Sequence, residues 1–202
     1  MGLLSVLKRI PVDVGQGTLR GTTKGKLIAM AAVPPTAQGA KALDVGCREG
    51  IQTKWLEAHG YDVTAIDKEP IYPRAQTVDI EQGLPFPNAF FDLIWCSEVI
   101  EHLHNVPQAL HEFRRILKPQ GKLVVTTPNS YFWLMQSLRV LGLSPAYLQN
   151  PDHKQFFHIA DIQRLFPTAQ ISGFFPYALI KCKITRGVGL LSPTFVIVET
   201  AA

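Results

Sequence analysis

This chain has few of the features that mark a secreted or membrane-spanning protein. Cysteine occurs only three times, at widely separated positions and without a CxxC pair. That pattern argues against a disulfide framework and indicates a reducing, cytoplasmic setting. No apolar run approaches the roughly 20 residues needed to span a bilayer. The N-terminal MGLLSVLKRI carries its charges after its short apolar run, which is unlike a signal peptide.

Dense positive charge is also lacking. The formal net charge is only +4, and the basic residues occur as scattered pairs such as Arg114-Arg115. Nucleic-acid readers usually carry a denser basic stripe, so a solvated surface is the favoured interpretation, with an anionic partner or membrane surface as the alternative. Apolar residues make up 47% of the 202 residues, which predicts one globular domain with a full core. The oligomeric state is left open.

What the chain does contain is a repeated alternation of strand and helix. Strands are predicted at KALDVG, DVTAID, AQTVDI, FFDLIWCS and KLVVTTP, with helical patterns between most of them. The tail differs, because YALIKCKIT and TFVIVETA are separated only by RGVGLLSP, which predicts an antiparallel pair. We therefore predict an α/β fold: a Rossmann-like, seven-stranded, mostly parallel sheet with an antiparallel C-terminal hairpin and helices on both faces.

The stretch ALDVGCREG, residues 42–50, joins the first strand to the first helix of this alternation. A strand that ends in a glycine turn before a helix presents backbone N–H groups, and glycine lets a ligand approach closely. Asp67 ends the next strand, where an acid can accept both hydroxyls of a ribose. The spacing does not match G-x-G-x-x-G. The stretch therefore suggests a nucleoside-bearing cofactor other than a dinucleotide, with an unliganded tight turn as the alternative.

Four blocks, taken together, identify a family resemblance. LDVGCREG, AIDKEP, VDIEQGLPFPNAFFDLIWCSEVIEHL and RILKPQGKLVVTTPN resemble class I methyltransferases that use S-adenosylmethionine. The resemblance implies a cytoplasmic methyltransferase made of one domain, residues 1–202. Its expected parts are an N-terminal substrate segment (1–38), a cofactor-binding core (39–128), a lid or substrate segment (129–170) and C-terminal strands (171–202).

The resemblance also implies a cofactor site at the ends of the first four strands. Asp44 and Gly46 would lie along the methionine end, Asp67 would bind the ribose, and Asp79 with the Ile80 amide would meet the adenine. Capping of a turn by Asp79 is the structural alternative, as is helix capping by Ser97. The full set expected at the cofactor is Asp44, Gly46, Cys47, Gly50, Asp67, Lys68, Asp79, Ile80 and Ser97.

Arg48 is a departure from the family, which commonly has glycine at this position. Its side chain is expected either to point to solvent or to reach the methionine carboxylate. A catalytically silent S-adenosylmethionine-binding protein therefore stays open as an alternative function.

The motif SEVIEHLHN suggests chemistry at the acceptor. Glu98, Glu101 and His102 stand at i, i+3 and i+4, which places them on one face of a helix start. With His153 they would hold a divalent ion, magnesium or zinc. This arrangement resembles metal-using O-methyltransferases, both the catechol type of ubiquinone biosynthesis and the small-RNA 2′-OH type. Salt bridges from the acids to Arg114 or Arg115 are the alternative.

A metal-free reaction would instead use His102, His153 or His158 as the general base. In either case the predicted reaction is O-methylation of a small or lipid-like molecule, with RNA methylation as the alternative that the charge and the metal-like motif support. The aromatic-rich residues 129–158 would line an apolar pocket or simply pack on the sheet. The N-terminal ten residues are a candidate peripheral membrane contact.

Overall fold

The computed structural model describes residues 23–36, 39–140, 142, 152–175 and 182–202. Four expectations lie wholly or partly outside them: the N-terminal substrate segment 1–38, the lipid contact of the first ten residues, the middle of the lid segment, and the first five residues of the strand YALIKCKIT. None of the helices in the described ranges is both long and apolar enough to cross a membrane.

The described residues form a single mixed sheet with six α-helices packed around it. The strands are β1 Lys41–Val45, β2 Asp62–Asp67, β3 Gln76–Thr77, β4 Phe91–Ser97, β5 Leu117–Pro128, β6 Gln170–Phe174, β7 Lys183–Ile184 and β8 Thr194–Thr200. The helices are α1 Lys24–Met30, α2 Ile51–Ala58, α3 Val106–Ile116, α4 Trp133–Val140, α5 Ile159–Leu165 and α6 Val188–Leu191, with 3₁₀ turns at Ile80–Gln82 and Ile100–His102.

The strand order is β3-β2-β1-β4-β5-β8-β6-β7. Strands β1 to β5 pair in parallel, whereas β8 runs antiparallel to both β5 and β6, and β7 is antiparallel to β6. A parallel sheet finished by antiparallel C-terminal strands is thus confirmed, as are helices on both faces.

The C-terminal pairing differs from the prediction in detail. The described sheet has eight strands rather than seven, because the short β6, with sequence QISGF, was not recognised. The predicted hairpin partners are not neighbours: β7 pairs with β6, while β8 lies between β5 and β6. Helix α6 separates β7 from β8 along the chain, so the connection is not the direct turn that a hairpin needs.

Strand β4 shows why the sequence forms a strand covered on both faces. Its alternate residues Leu93 and Trp95 pack with Leu56 of α2, whereas Ile94 packs on the other face with Phe113 of α3. All five side chains are at most 1% exposed. Burying a large apolar side chain stabilises a fold by about 1.5–3 kcal/mol. The central strands therefore hold the sheet rigidly where their carboxyl ends meet.

Helix α3 is fixed by its ends as well as by its apolar face. The Asn105 side chain caps its first turn by accepting from the Gln108 N–H at 3.2 Å. Near its end, the Arg114 guanidinium donates to both carboxylate oxygens of Glu199 on β8, at 2.8 and 2.9 Å. This bidentate pair joins the helix to the antiparallel strand.

Candidate functional site

A cavity of about 680 Å³ opens at the carboxyl edge of the sheet. The strand order reverses between β1 and β4, and ligands of open α/β sheets bind at such reversals. The lining comes from the turns that follow β1, β2 and β4, from the first 3₁₀ turn, and from the segment that precedes α5. Its polar members are Arg48, Asp67, Lys68, Glu69, Asp79, Glu81, Glu98, His102, Asp152 and Lys154.

Asp67, at the end of β2, is oriented by the backbone around it. Its Oδ2 accepts from the Arg48 N–H and its Oδ1 from the Glu69 N–H, both at 2.9 Å. An ionised carboxylate offers about four lone-pair sites, so each oxygen keeps room for a further donor. Asp67 lines the cavity and is arranged to accept two hydroxyl groups.

The turn after β1 does not present its first amides to the cavity, contrary to expectation. The N–H groups of Gly46 and Cys47 both donate to the Ile66 carbonyl, at 2.9 and 3.2 Å, and the Arg48 N–H serves Asp67. The turn folds back on the end of β2, where these three N–H groups donate their hydrogen bonds. Gly46 has φ +73°, and a Cβ at this position would overlap the Val99 side chain. Its lack of a side chain lets Val99 close the cavity wall.

Cys47 and Gly50 lie on the side of the turn that packs against the Tyr72 ring. Gly50 precedes α2 with φ +74°, and a Cβ there would press into the Tyr72 ring. Cys47 is 3% exposed and packs against the same ring and Ala65. Burial, with the nearby charges of Asp44 and Asp67, raises the pKa of the Cys47 thiol to about 12. Neither Cys47 nor Gly50 is among the described residues that line the cavity.

Asp44 is buried beneath the turn, with 1% exposure. The Thr53 hydroxyl of α2 donates to its Oδ2 at 2.6 Å, which ties β1 to the helix. Burial raises the pKa of Asp44 to about 6, against the opposing effects of Thr53 and Lys26. Asp44 therefore supports the floor of the site and, within the described ranges, does not line the cavity.

The expected adenine end combines a cap with an ion pair. Asp79 caps the first 3₁₀ turn by accepting from the Glu81 N–H at 3.1 Å, and it also meets Lys68 Nζ at 2.9 Å. The hydrogen bond from Lys68 and the Glu81 amide hold the pKa of Asp79 below its usual value. Lys68, Asp79 and Ile80 all line the cavity, so capping and contact with a ligand are compatible.

The spacing predicts that Glu98 and Glu101 share one helical face, but the structure does not place them so. The backbone of Glu98 is left-handed, with φ +58°, and the 3₁₀ turn begins only at Ile100. The Thr126 hydroxyl donates its proton to Glu98 Oε1 at 2.9 Å. Because Thr126 has no second proton to donate, the Ser97 hydroxyl is the donor in its 2.7 Å hydrogen bond with Thr126. Burial raises the pKa of Glu98 to about 7. Ser97 therefore acts here as a support for Thr126.

Glu101, His102 and His153 form a cluster, and His102 is its member that lines the cavity. One donor atom from each lies within 4.8 Å of the other two. The Glu101 side chain is 1% exposed, and burial followed by the charge of Glu98 raises its pKa well above the usual value. Thr127 Oγ1 donates to its Oε2 at 3.0 Å. Three of the four expected metal ligands are thus together, and Glu98 is not one of them.

The two histidines of this cluster differ in how they are held. His102 Nδ1 lies 3.2 Å from the Asp152 carbonyl. A carbonyl only accepts, so in the neutral form of His102 the proton is on Nδ1 and the lone pair is on Nε2. Burial, then repulsion from His102, lowers the pKa of His153 to about 4 despite Asp152. The two rings meet edge to face, 4.9 Å between centroids.

The alternative of salt bridges from these acids is wrong for the two arginines named. Arg114 pairs with Glu199, and Arg115 with Glu112 of the same helix. The cluster therefore lacks the plain electrostatic explanation that the sequence offered.

His158 lies elsewhere. Its Nδ1 caps α5 by accepting from the Ala160 N–H, and Asp161 accepts from the His158 N–H in return. It lines a second cavity of about 390 Å³, which shares no described lining residue with the first. The structure does not bring His158 to the other two histidines.

Three supporting residues were missed from the sequence. Thr126 and Thr127 hold the half-buried Glu98 and the buried Glu101, and Lys26 of α1 favours the charged forms of Asp44, Glu98 and Glu101. The threonines had a signal, because they end a strand parallel to the one that precedes SEVIEH. Lys26 had none, since nothing local places α1 over this edge.

Comparison with known proteins agrees with this geometry. Residues 21–171 match the family described as methyltransferase domain. Ubiquinone biosynthesis O-methyltransferase of Photorhabdus laumondii is 31% identical over 115 residues, 48% of this chain and 47% of that protein. Malonyl-[acyl-carrier protein] O-methyltransferase of Enterobacter lignolyticus is 29% identical over 129 residues, 58% and 51% of the two chains. This chain spans about half the length of these curated relatives.

Among solved structures, a SAM-dependent methyltransferase from Archaeoglobus fulgidus superimposes with a TM-score of 0.65. The match covers 88% of this chain and 92% of that one, at 19% identity, and so speaks to the fold. The sheet order, with a cavity at its reversal, defines a Rossmann-like α/β fold. More narrowly, the chain belongs to the methyltransferase-domain family, within the class I S-adenosylmethionine-dependent methyltransferases.

Proposed function

We propose that this protein transfers a methyl group from S-adenosylmethionine to an oxygen atom of a small or lipid-like molecule. The observation that carries the proposal is Asp67, held by two backbone amides in a cavity at the strand-order reversal of a methyltransferase-family chain. Both curated relatives described above are named O-methyltransferases, which supports oxygen as the acceptor atom.

The cavity suits the cofactor in size and chemistry. Its volume of about 680 Å³ lies within the roughly 300–1,000 Å³ of small-molecule sites. Asp67 would accept the ribose hydroxyls, and Asp79 with Ile80 would meet the adenine. Gly46, Val99 and Glu98 line the remaining wall, where the methionine part would lie.

His102 is the proposed general base. When bound, S-adenosylmethionine supplies a methyl group already activated by its sulfonium charge, so the protein has to align the acceptor and remove its proton. His102 lines the cavity, and the Asp152 carbonyl holds its ring through Nδ1, so Nε2 is the nitrogen left for the acceptor. The acceptor's hydroxyl proton would pass to Nε2 of His102.

A divalent cation is the alternative that we propose at this end, in place of base catalysis by His102, because Nε2 of His102 would then bind the cation. The donors of the cluster are two neutral imidazoles and one carboxylate, a set that favours zinc over magnesium. A backbone carbonyl behind a ligating histidine, as at His102, is a usual feature of metal sites. A cation held there would polarise the acceptor hydroxyl and lower its pKa.

The acceptor's class and the compartment are also proposals. The net charge of +4 is spread out and gives no particular support to RNA as a substrate. The three cysteines are free thiols, which supports a reducing cytoplasm.

The test combines binding with turnover. Calorimetry measures S-adenosylmethionine binding, and transfer of a labelled methyl group into fractionated cell extract measures turnover, each with and without a chelator. Saturable binding with label in a small-molecule or lipid fraction is the expected result. Binding without transfer would favour the silent binding protein, and label in RNA would favour the RNA alternative. Absence of binding would reject the proposal altogether.

A further inference from the structure

Two adjacent threonines at the end of β5 each serve one carboxylate of the segment after β4. Thr126 donates to Glu98 at 2.9 Å, and Thr127 donates to Glu101 at 3.0 Å. Successive strand residues point to opposite faces of a sheet, so the two hydroxyls reach the carboxylates from opposite sides. The two glutamates are therefore supported independently.

The Thr127–Glu101 contact is the more deeply buried. Thr127 is 0% exposed and Glu101 1%. Only Oε2 of Glu101 accepts this hydrogen bond, while Oε1 is buried with no hydrogen-bond partner among the described residues. Buried acceptors are almost always satisfied, so an unsatisfied oxygen on a carboxylate that clusters with two histidines points to a missing occupant.

The main chain of Glu101 is fixed from the other side. Its carbonyl accepts from the N–H groups of Lys154 and Gln155, both at 2.9 Å. These residues directly follow His153, so the same contacts set where His153 stands relative to Glu101. With its main chain held, the carboxylate can still rotate, and Thr127 is the described side chain that bonds it. Threonine suits this task because its branched side chain is stiff.

We propose that Thr127 is a positioning residue that fixes the Glu101 carboxylate so that Oε1 stays available, with His102 and His153, to a divalent cation. The inference rests on the cation site of the proposed function. It adds that the affinity of the site depends on a hydroxyl that touches neither the cation nor the methyl acceptor.

The experiment removes and restores this hydroxyl. Thr127→Val deletes the donor while keeping the branched shape, and Thr127→Ser returns a hydroxyl. Thr194→Val is the matched control, because Thr194 is also 0% exposed, lies on the adjacent β8, and its hydroxyl has no partner in the described chain. Calorimetry with Zn²⁺ and Mn²⁺ gives cation affinity, a separate titration gives S-adenosylmethionine affinity, and thermal unfolding monitors the fold.

We expect Thr127→Val to weaken cation binding about 10–100-fold, the usual loss when a group that orients a ligand is removed. Affinity for S-adenosylmethionine should not change. Thr127→Ser should bind the cation nearly as tightly as the unmodified protein, and Thr194→Val should match that protein in both titrations. A melting temperature shared by the two valine variants would show that folding is not the cause.

Three results would overturn the inference: equal cation affinity in Thr127→Val and Thr194→Val, the same loss in Thr127→Ser as in Thr127→Val, or no cation binding by the unmodified protein. If Thr127→Val does not fold, the comparison of Thr127→Ser with Thr127→Ala decides in the same way. Failure of the methyltransferase proposal is seen separately, as absent S-adenosylmethionine binding by the unmodified protein.

Discussion

The two ends of the cavity hold their acids by different means. At the end that we propose for the ribose, here called the ribose end, Asp67 is bonded by main-chain amides that belong to the glycine turn and to its own loop. At the acceptor end, Glu98 and Glu101 are bonded by side-chain hydroxyls of β5, 28 and 26 residues further along the chain. The first acid depends on the course of the backbone, and the other two depend on packed side chains.

This difference has an electrostatic consequence. Burial raises the pKa of both Glu98 and Glu101, to about 7 for Glu98. The acceptor end thus keeps one carboxyl group, that of Glu98, which changes charge near neutral pH, beside a second, that of Glu101, whose pKa is also raised. Groups of this kind are typical of sites that move protons, whereas the ribose end is built to bind. Substitutions at the acceptor end should therefore alter turnover, and substitutions at the ribose end should alter the affinity for S-adenosylmethionine.

The largest effect is expected at His102. We expect His102→Ala to lower kcat about 10²–10⁴-fold, the usual contribution of a general base, while S-adenosylmethionine affinity stays the same. His104→Ala, an exposed neighbour, is the control. Steady-state kinetics and calorimetry measure the two quantities. An equal loss of cofactor affinity would break the division between the two ends.

Removal of divalent ions with a chelator tests whether the acceptor end needs a cation for transfer. If the cation is required, chelation should abolish transfer and one added divalent ion should restore it, with cofactor binding intact throughout. Full activity in the chelator, with no bound metal by elemental analysis, would leave His102 to act without a cation.

At the ribose end the effect should fall on affinity. We expect Asp67→Ala to weaken S-adenosylmethionine binding by about 2–4 kcal/mol, because two charged hydrogen bonds are lost. Asp62→Ala, at the opposite end of the same strand, removes an exposed acid that pairs with Lys41 at 3.1 Å and serves as control. Calorimetry showing unchanged affinity in a folded Asp67→Ala variant would remove Asp67 from the site.

Asp44 lies outside both ends of the cavity, so its burial should alter the pH dependence of stability. Its pKa rises from 3.8 to about 6 on folding, so the folded protein holds more protons between these values. Stability should therefore fall as pH rises through that window, by at most about 3 kcal/mol, at 1.36 kcal/mol per unit. We expect Asp44→Asn to flatten this slope in urea unfolding from pH 4 to pH 7. The same slope in both proteins would contradict the assignment.

The smallest effect is expected at Arg48. Its side chain is 53% exposed and lies 3.5 Å from Glu49, and the bond to Asp67 uses only its main-chain N–H. Its φ of +43° also suits glycine. Arg48→Gly should change cofactor affinity by less than tenfold, which is about 1.4 kcal/mol. A greater loss in calorimetry, reproduced by Arg48→Gln, would show that the guanidinium reaches the ligand.

The fold was largely predictable because its signals are local. Apolar runs predicted β1, β4 and β5, since buried parallel strands need such runs. Strand β6 escaped because it is short and contains Ser172 and Gly173. The placement of β8 escaped because strand order is decided by packing across the sheet, which no local pattern records.

The site residues also fall into those that a local sequence pattern predicts and those that it does not. The position of Asp67 at a strand end is enough to place it in the cavity, whereas its role toward a cofactor stays a prediction. The spacing of Glu98, Glu101 and His102 drew attention to the correct segment but predicted one helical face, and the left-handed backbone of Glu98 breaks that face. Thr126, Thr127 and Lys26 were missed because their roles exist only after distant segments have come together.

The position of β8 also has a consequence for how the protein folds. It pairs with β5 on one side and with β6 on the other, so the last strand in sequence lies in the interior of the sheet. Strands β1 to β5 can assemble as the chain emerges, but β6 and β7 cannot join them until residues 194–200 are in place. Such late, non-local pairing is slow and leaves two sheet edges open to misassociation until it is complete.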